Sequence, residues 1–384
     1  MKLRRALVVA QKEAREIARD RIYLALAFLL PVVLMLVFGY GMTQEVQNIP
    51  LAIVDHDRSA LSRDYSHRFI ESRYFNFKTY VSSARAAEPL LLNGDVRAVI
   101  ILPEHFQERL TTGLPVDIQT LLDGTFTYRL RTVDGYVQAI NQAVSEELQT
   151  RYLVRNKGYS ATRAQTALQP LRVETRYLYN QALREIWSIA PGLVMFVLTL
   201  TAPLLMALSV VREKETGTIY NIYASTITRA EYLLGKLLPN VIVSFINGSV
   251  LTLIAVWYFG APFKGSVLFF LTAMLVYVVW ATGFGLLISV MVRTQMAAVM
   301  ITVILVMVFV MQFSGMMIPV SSMTGANYVI AHGLAPMYFN DVVTNTFLKG
   351  GGFAAAWQEL AALIVFTFCF LAFGYLLFHK RSST

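Results

Sequence analysis

The chain has 384 residues, of which 56% are hydrophobic and only 15% charged, with a mean hydropathy of +0.53. That balance excludes an ordinary soluble domain, and several apolar windows reach the length of about 20 residues that crosses roughly 30 Å of hydrocarbon. The one cysteine, Cys369, lies inside the last apolar run and excludes a disulfide framework, while the net charge of +9 gathers beside apolar spans rather than forming a nucleic-acid surface.

Residues 1–21 carry seven Lys/Arg against three Asp/Glu. Leu3, Leu7, Ala10, Ala14 and Ile17 recur at helical spacing, with Arg4, Lys12, Arg15 and Arg19 elsewhere, which predicts an amphipathic interfacial helix on an anionic membrane face. Such a helix can also add to a partner's docking surface. The next stretch, 22–43, is the first span. Its apolar run is too long for a cleaved signal peptide and no small-x-small site follows, so the N-terminus is placed in the cytoplasm, with Pro31 as a kink point.

Residues 44–187 are nearly balanced, with 17 basic and 16 acidic side chains. LAIVD (51–55), VRAVIIL (96–102) and VDIQTLL (116–122) read as strands, separated by helical patterns around 60–72, 83–92 and 104–112 and followed by one at 127–157. They predict a mixed α/β domain, outside the cytoplasm because the first span starts inside. Asp55, His56 and Asp57 suggest metal ligands at first. However, they end a strand just before Ser59-Ala60-Leu61-Ser62, a helix start capped by Ser59 or Asp57, and strand alternation turns His56 away from its neighbours. Leu171 to Glu185 is expected to lead back into the membrane as a helix.

Five further spans are predicted at 189–211, 237–259, 266–290, 297–318 and 358–378, with Pro239 in the first turn of the third span. Segment 320–350, broken by Gly325, Gly333, Pro336 and Gly350, reads as an outer re-entrant pair of short helices. Trp187, Trp257 and Trp357 fall at predicted outer helix ends, where indole rings prefer to sit. The fold class is therefore a polytopic α-helical membrane protein. It has six transmembrane helices, both termini cytoplasmic, and an extracytoplasmic mixed α/β domain inserted between helices 1 and 2; residues 188–384 form the bundle of spans two to six.

Between spans two and three runs VREKETGTIYNIYASTITRAEYLLGKLLP, Val211 to Pro239. Its polar part, 212–236, reads either as a cytoplasmic loop on which a partner docks or as a solvated hairpin. The spans themselves carry essentially no ionisable residue, which argues against an internal proton relay. Gly235-Lys236 lacks the upstream glycine and following Ser/Thr of a phosphate-binding loop, so any uphill movement draws its energy from another chain. Thr199, Thr201, Asn247, Ser249, Gln312 and Ser314 are the polar groups in the spans. Interhelical hydrogen bonds worth about 0.6–2 kcal/mol each account for them, and a substrate path would use the same groups. Gly283 and Gly285 are read as close-packing positions. No catalytic constellation emerges.

Taken whole, this order of parts resembles the membrane subunit of an ATP-binding-cassette exporter of the type-2 permease class. The specific matches are REKETGTI at 212–219, TITRAEYLLGKLLP at 226–239, FSGMMIP at 313–319 and APMYF at 335–339. The chain departs at Ser225–Thr228, where the family often has a proline near Thr226 or Ile227. The resemblance implies a dimer of two identical or related permease subunits and separate cytoplasmic ATPases using ATP and Mg. Those ATPases would grip 212–236 and the N-terminal helix, with Arg212, Glu213, Glu215, Gly217 and Thr218 shaping the docking element and Arg229 and Glu231 contacting the ATPase. It further implies a path lined by spans two and five, a drug-like or amphiphilic substrate, and a Gram-negative inner membrane with a periplasmic adaptor and outer-membrane channel. No cofactor is expected in the chain itself. A membrane-anchored sensor or scaffold would not need five grouped spans after the domain, and a membrane enzyme acting on lipid precursors would need an acidic or histidine cluster at the interface.

Overall fold

The computed structural model describes residues 3–42, 48–125, 127–168, 178–181, 184–220 and 225–377. The chain divides into two compact units, Glu45–Thr175 and the remainder, Met1–Gln44 with Arg176–Thr384. In chain order the elements are α1 (Leu3–Arg19), α2 (Arg21–Met42), β1 (Ile49–Asp55), α3 (Ala60–Ile70), β2 (Phe75–Tyr80), α4 (Ala84–Leu92) and β3 (Ala98–Leu102). Then come α5 (Phe106–Thr111), β4 (Gln119–Leu122), α6 (Thr127–Lys157), α7 (Ala161–Leu168), α8 (Glu185–Glu215), α9 (Arg229–Tyr258) and α10 (Val267–Met291). The last are α11 (Gln295–Phe313), α12 (Ala326–His332), α13 (Ala335–Thr344) and α14 (Phe353–Leu377).

In the inserted unit the sheet order is β2-β1-β3-β4, with β1 parallel to both neighbours and β4 antiparallel to β3. Successive side chains of a strand point to opposite faces. Ile49, Leu51, Ile53, Ile100 and Leu102 accordingly pack with Tyr65, Phe69, Phe106, Val133 and Val137, while Ala52, Val54, Val99 and Ile101 meet Ala87 and Val96 on the other side. Being covered on both faces, β1 and β3 are continuous apolar runs. Strand β2 was not expected from the sequence. It is an edge strand in which only Phe75 is fully buried, and Asn76, Lys78 and Thr79 dilute its apolar pattern.

The Asp55–Asp57 run builds a turn. Asp55 accepts the N–H groups of Asp57 (3.0 Å) and Arg58 (2.8 Å) and the Ser62 hydroxyl (2.7 Å). Asp57 accepts the Gln107 N–H at 3.0 Å, and Ser59 caps α3 through the Ser62 N–H. At the β3–β4 edge, the Asp123 carboxylate is held down at about 2 by the Thr125 hydroxyl and N–H and by its Arg97 ion pair. A lowered acid stabilises the fold above its ordinary value near 3.8, and that contribution is lost as pH falls toward 2. We expect Asp123→Asn to reduce amide-exchange protection in β4 at neutral pH, by less than about 1 kcal/mol because Arg97 is partly solvent-screened.

In the second unit, α2, α8, α9, α10, α11 and α14 are the six helices long and apolar enough to cross a membrane among the described residues. Helix α8 is the axis, with 94% of its most apolar window buried, and α2, α9, α10, α11 and α13 all pack against it. Small residues set the spacing: a Cβ on Gly248 of α9 would lie 2.8 Å from Met274 Sδ, and one on Gly285 of α10 would lie 2.2 Å from the Pro203 carbonyl oxygen of α8. Outer faces carrying Ile22, Leu29, Met291 and Phe368 are apolar and exposed, surface that acyl chains cover in a bilayer.

Three boundaries differ from expectation. Helix α8 runs through the REKE charges to Glu215, beyond its expected end at 211. Helix α9 starts at Arg229, so Pro239 lies well inside it and the first turn is closed instead by a Thr228–Glu231 capping box. Of the return helix expected at Leu171–Glu185, residues 171–177 and 182–183 lie outside the described residues, and α8 begins at Glu185. The last expected span is not free of charge either, since Glu359 lies in the second turn of α14 after a break at Ala356.

Candidate functional site

Four consecutive charges at the end of α8 each hold a different neighbour. A helix turns about 100° per residue, so four successive side chains sweep all the way round its axis. Arg212 pairs with Asp20 at the α1–α2 junction. Glu213 accepts from Lys12 of α1 at 2.8 Å and from the Tyr232 hydroxyl of α9 at 2.6 Å. Lys214 donates to the carbonyls of Ser289 and Val292, where α10 ends and leaves acceptors unsatisfied. Glu215 accepts the backbone and side-chain N–H groups of Gln295, the first residue of α11. The end of α8 is thereby tied to α1, α2, α9, α10 and α11.

At the centre of this hub is a buried ion cluster. Lys236 of α9 lies 2.5 Å from Glu13 of α1 and 3.1 Å from Glu213, and its side chain is 2% exposed. Glu13 also accepts the Ser209 hydroxyl at 2.5 Å, and Lys236 donates to that hydroxyl at 3.1 Å. Lys12 bridges outward to Glu16 at 3.2 Å. Burial opposes its charge, but Glu213 and Glu16 outweigh it and raise its pKa. Asp20 is held below the usual carboxylate range mainly by the Tyr23 N–H, aided by Arg212 and Ile22 against partial burial. Glu13, Glu16 and Glu213 come close enough to share a cation, yet two ammonium groups already stand among them, so the cluster is an ion-pair network and not a metal centre.

This arrangement requires α1 to lie almost on the backbone of α9. A Cβ on Gly235 would stand 2.5 Å from Val9 Cβ and 3.0 Å from the Ala6 carbonyl. The buried face of α1 is the row Ala6, Val9, Ala10, Glu13 and Ile17, whereas Leu3 and Leu7 of the expected apolar stripe are 66% and 53% exposed. Sequence reasoning missed Glu13, Lys12, Asp20, Tyr232 and Lys236. The available signal was an acidic residue, Glu13, in line with the small-residue row of an amphipathic helix.

Of the expected coupling residues, Arg212, Glu215 and Thr218 are exposed, and Gly217 closes the end of α8 at φ +73°, a conformation that favours glycine. Glu213, expected to shape the docking element, is buried and serves the ion cluster, and Glu231, expected to contact the ATPase, is buried and accepts the Thr228 N–H at 3.0 Å. Arg229 is half-buried in the first turn of α9. Tyr220, which the sequence had not singled out, is 61% exposed just beyond the hub, and residues 221–224 lie outside the described residues.

The polar groups of the spans separate into two sets. Thr199 is fully buried, donating to the Met195 carbonyl at 2.7 Å and hydrogen-bonded to Tyr277 of α10, and Asn247 is buried against Thr201. Gln312 is exposed, and Ser314 is buried just past α11, where it accepts the Met316 N–H. Neither shares a hydrogen bond with Thr199 or Asn247.

Six helices long and apolar enough to cross a membrane, cross-tied at one end and with an inserted α/β domain, define a polytopic membrane-type protein. Residues 21–376 match the family described as ABC-2 family transporter protein, and the chain belongs to it. It is 27% identical over 350 residues to the probable multidrug ABC transporter permease YbhS of Escherichia coli, covering 90% of this chain and 89% of that protein. To the probable multidrug ABC transporter permease YbhR of the same organism it is 26% identical over 377 residues, 98% and 99% of the two chains. To the inner membrane transport permease YhhJ it is 25% identical over 339 residues, 87% and 86%.

Proposed function

We propose that this permease exports a drug-like or amphiphilic compound from the cytoplasm or inner leaflet, driven by a separate cytoplasmic ATPase that consumes ATP with Mg. The observation that carries the reading is the hub: a load applied at the exposed turn of Gly217, Thr218 and Tyr220 reaches five helices through four adjacent side chains. A solvated hairpin needs no such cross-ties. The multidrug names of YbhS and YbhR favour the substrate class.

In this reading the hub and both termini face the cytoplasm, the Glu45–Thr175 unit is extracytoplasmic, and two permease subunits form a dimer in the inner membrane. A periplasmic adaptor and an outer-membrane channel complete the route. The segment 320–350 forms the outer side of the bundle, with α12 and α13 as its short helices.

The test is purification of the tagged chain from native membranes in a mild detergent, with assay of the ATPase that accompanies it. Arg212→Glu with Tyr220→Ala is the surface variant to use, because both side chains are exposed and the Arg212–Asp20 pair contributes at most about 1 kcal/mol. We expect it to insert and fold as the parent does while losing most of the bound ATPase. Full retention of the ATPase would remove this surface from the coupling route, and absence of any ATPase with the parent chain would favour a sensor or scaffold.

A further inference from the structure

A hydroxyl inside a helix either points to solvent or bonds the carbonyl four residues back. Thr199 and Thr201 of α8 and Ser249 and Thr252 of α9 take the second course, at 2.7–2.9 Å. Ser244, midway along α9 and 1% exposed, does neither: its Oγ is buried without a hydrogen-bond partner among the described residues. One turn on, the equally buried Asn247 amide donates to Thr201 Oγ1 at 3.4 Å, and its Oδ1 is likewise without a partner. Thr201 gives its own proton to the Val197 carbonyl at 2.8 Å, so it has none left for the Asn247 oxygen.

The two groups end a polar row. Lys236, Asn240, Ser244 and Asn247 follow at spacings of four, four and three residues, which places them on one face of α9, and all four are buried. The lower members are satisfied. Lys236 serves the ion cluster, while Asn240 donates to the Lys236 carbonyl at 2.9 Å and accepts the Tyr23 hydroxyl. The unmet oxygens stand at the upper end, about 12 to 17 Å along the helix from Lys236 at 1.5 Å per residue. No charged side chain lies between Ile22 and Met42 of α2, Ile186 and Val211 of α8, or Leu237 and Tyr258 of α9. An ion there would lose its hydration without gaining a counter-charge, so the surroundings select a neutral occupant.

We propose that Ser244 and Asn247 form a seat for a neutral O–H group, which donates to Asn247 Oδ1 and exchanges a hydrogen bond with the Ser244 hydroxyl. Residues three apart on a helix hold their Cβ atoms about 5–6 Å apart, a span that one bound oxygen bridges. Two occupants carry this chemistry. One is a buried water, which joins otherwise unmet polar groups in protein interiors. The other is the hydroxyl head of an amphiphile drawn along the polar row from the hub end, a source that rests on the export reading. An ether head has no donor and would leave the Asn247 oxygen unmet.

X-ray radiolysis of the full-length chain in detergent, read by mass spectrometry, tests the seat, because hydroxyl radicals born from a bound water oxidise the side chains beside it. Leu205 is the reporter: it is 1% exposed, lies one turn from Thr201 on α8, and belongs to the apolar cluster that Val243 of α9 joins. Oxidation of Leu205 in the parent should be lost in Ser244→Ala, and in Asn247→Leu if the first variant is not recovered. Dodecanol and dodecyl methyl ether separate the two sources. A head-group site predicts that dodecanol, and not the ether, suppresses the oxidation and raises the thermal midpoint of the parent while leaving that of Ser244→Ala in place. A water site predicts that neither compound changes the oxidation. The seat is overturned if Leu205 stays unoxidised in the parent and dodecanol shifts no midpoint, or if the oxidation survives in the variants. It is equally overturned if Ser244→Ala raises the midpoint, the sign of a buried hydroxyl with nothing to bind. None of these readouts involves ATP or transport, so failure of the export reading would leave them untouched.

Discussion

Lys236→Met is expected to detach the N-terminal helix from the bundle and lower stability by about 3–5 kcal/mol, the usual cost of removing one partner from a buried charge pair. The lysine stands between two carboxylates whose side chains are 4% and 7% exposed, at 2.5 Å from Glu13 and 3.1 Å from Glu213. Without it both acids remain in a dehydrated site, and Glu213 keeps only the Lys12 ammonium and the Tyr232 hydroxyl among the partners named above. Trypsin should then cut at Arg15 and Arg19, and the thermal midpoint of the purified chain should drop. Adding Glu13→Gln and Glu213→Gln removes the uncompensated charge and should restore much of the loss. If Lys236→Met leaves α1 protected and the midpoint unchanged, packing of Ala6 and Val9 on Gly235 holds the helix by itself.

The cluster shows what a sequence discloses about such a protein and what it hides. Apolar length alone announces the six spans, since each helix must satisfy its own backbone in hydrocarbon and needs no partner to be recognised. The strands at LAIVD and AVIIL, and the cap at Ser59, were equally local and equally legible. Arg212–Glu215 were also noticed, but as surface charges of a loop. Whether a charge near a helix end faces water or another helix depends on partners far away in the chain. Glu13 lies 200 residues from Glu213, and Lys236 lies 23 residues beyond it, so no local period links them. The leucines of α1 misled for a related reason. Close approach to Gly235 selects small residues for the protein-facing side and leaves Leu3 and Leu7 outside.

Gly285→Ala should destabilise the bundle by about 1–3 kcal/mol, at the upper end of that overpacking range. The added Cβ would lie 2.2, 2.6 and 2.7 Å from the O, Cα and C atoms of Pro203, all of them backbone, so no rotamer change can relieve the clash. Either α8 or α10 must shift along its length. Gly283, two residues away on α10, supplies the comparison. There a Cβ meets only the Leu371 side chain, Cδ2 at 3.0 Å and Cγ at 3.7 Å, which can turn aside, and Gly283→Ala should cost less than about 1 kcal/mol. Thermal unfolding of the two variants in the same detergent separates the cases, and equal losses would show that the backbone contact does not set the α8–α10 spacing. The prediction reaches the hub as well. Lys214 joins α8 to the Ser289 and Val292 carbonyls of α10, a few residues beyond Gly285, so prying the helices apart there draws the ammonium off its acceptors. Under the proposed function, Gly285→Ala should therefore weaken coupling to the proposed ATPase more than its loss of stability alone would predict, measured as transport per ATP hydrolysed, whereas Gly283→Ala should leave that ratio unchanged.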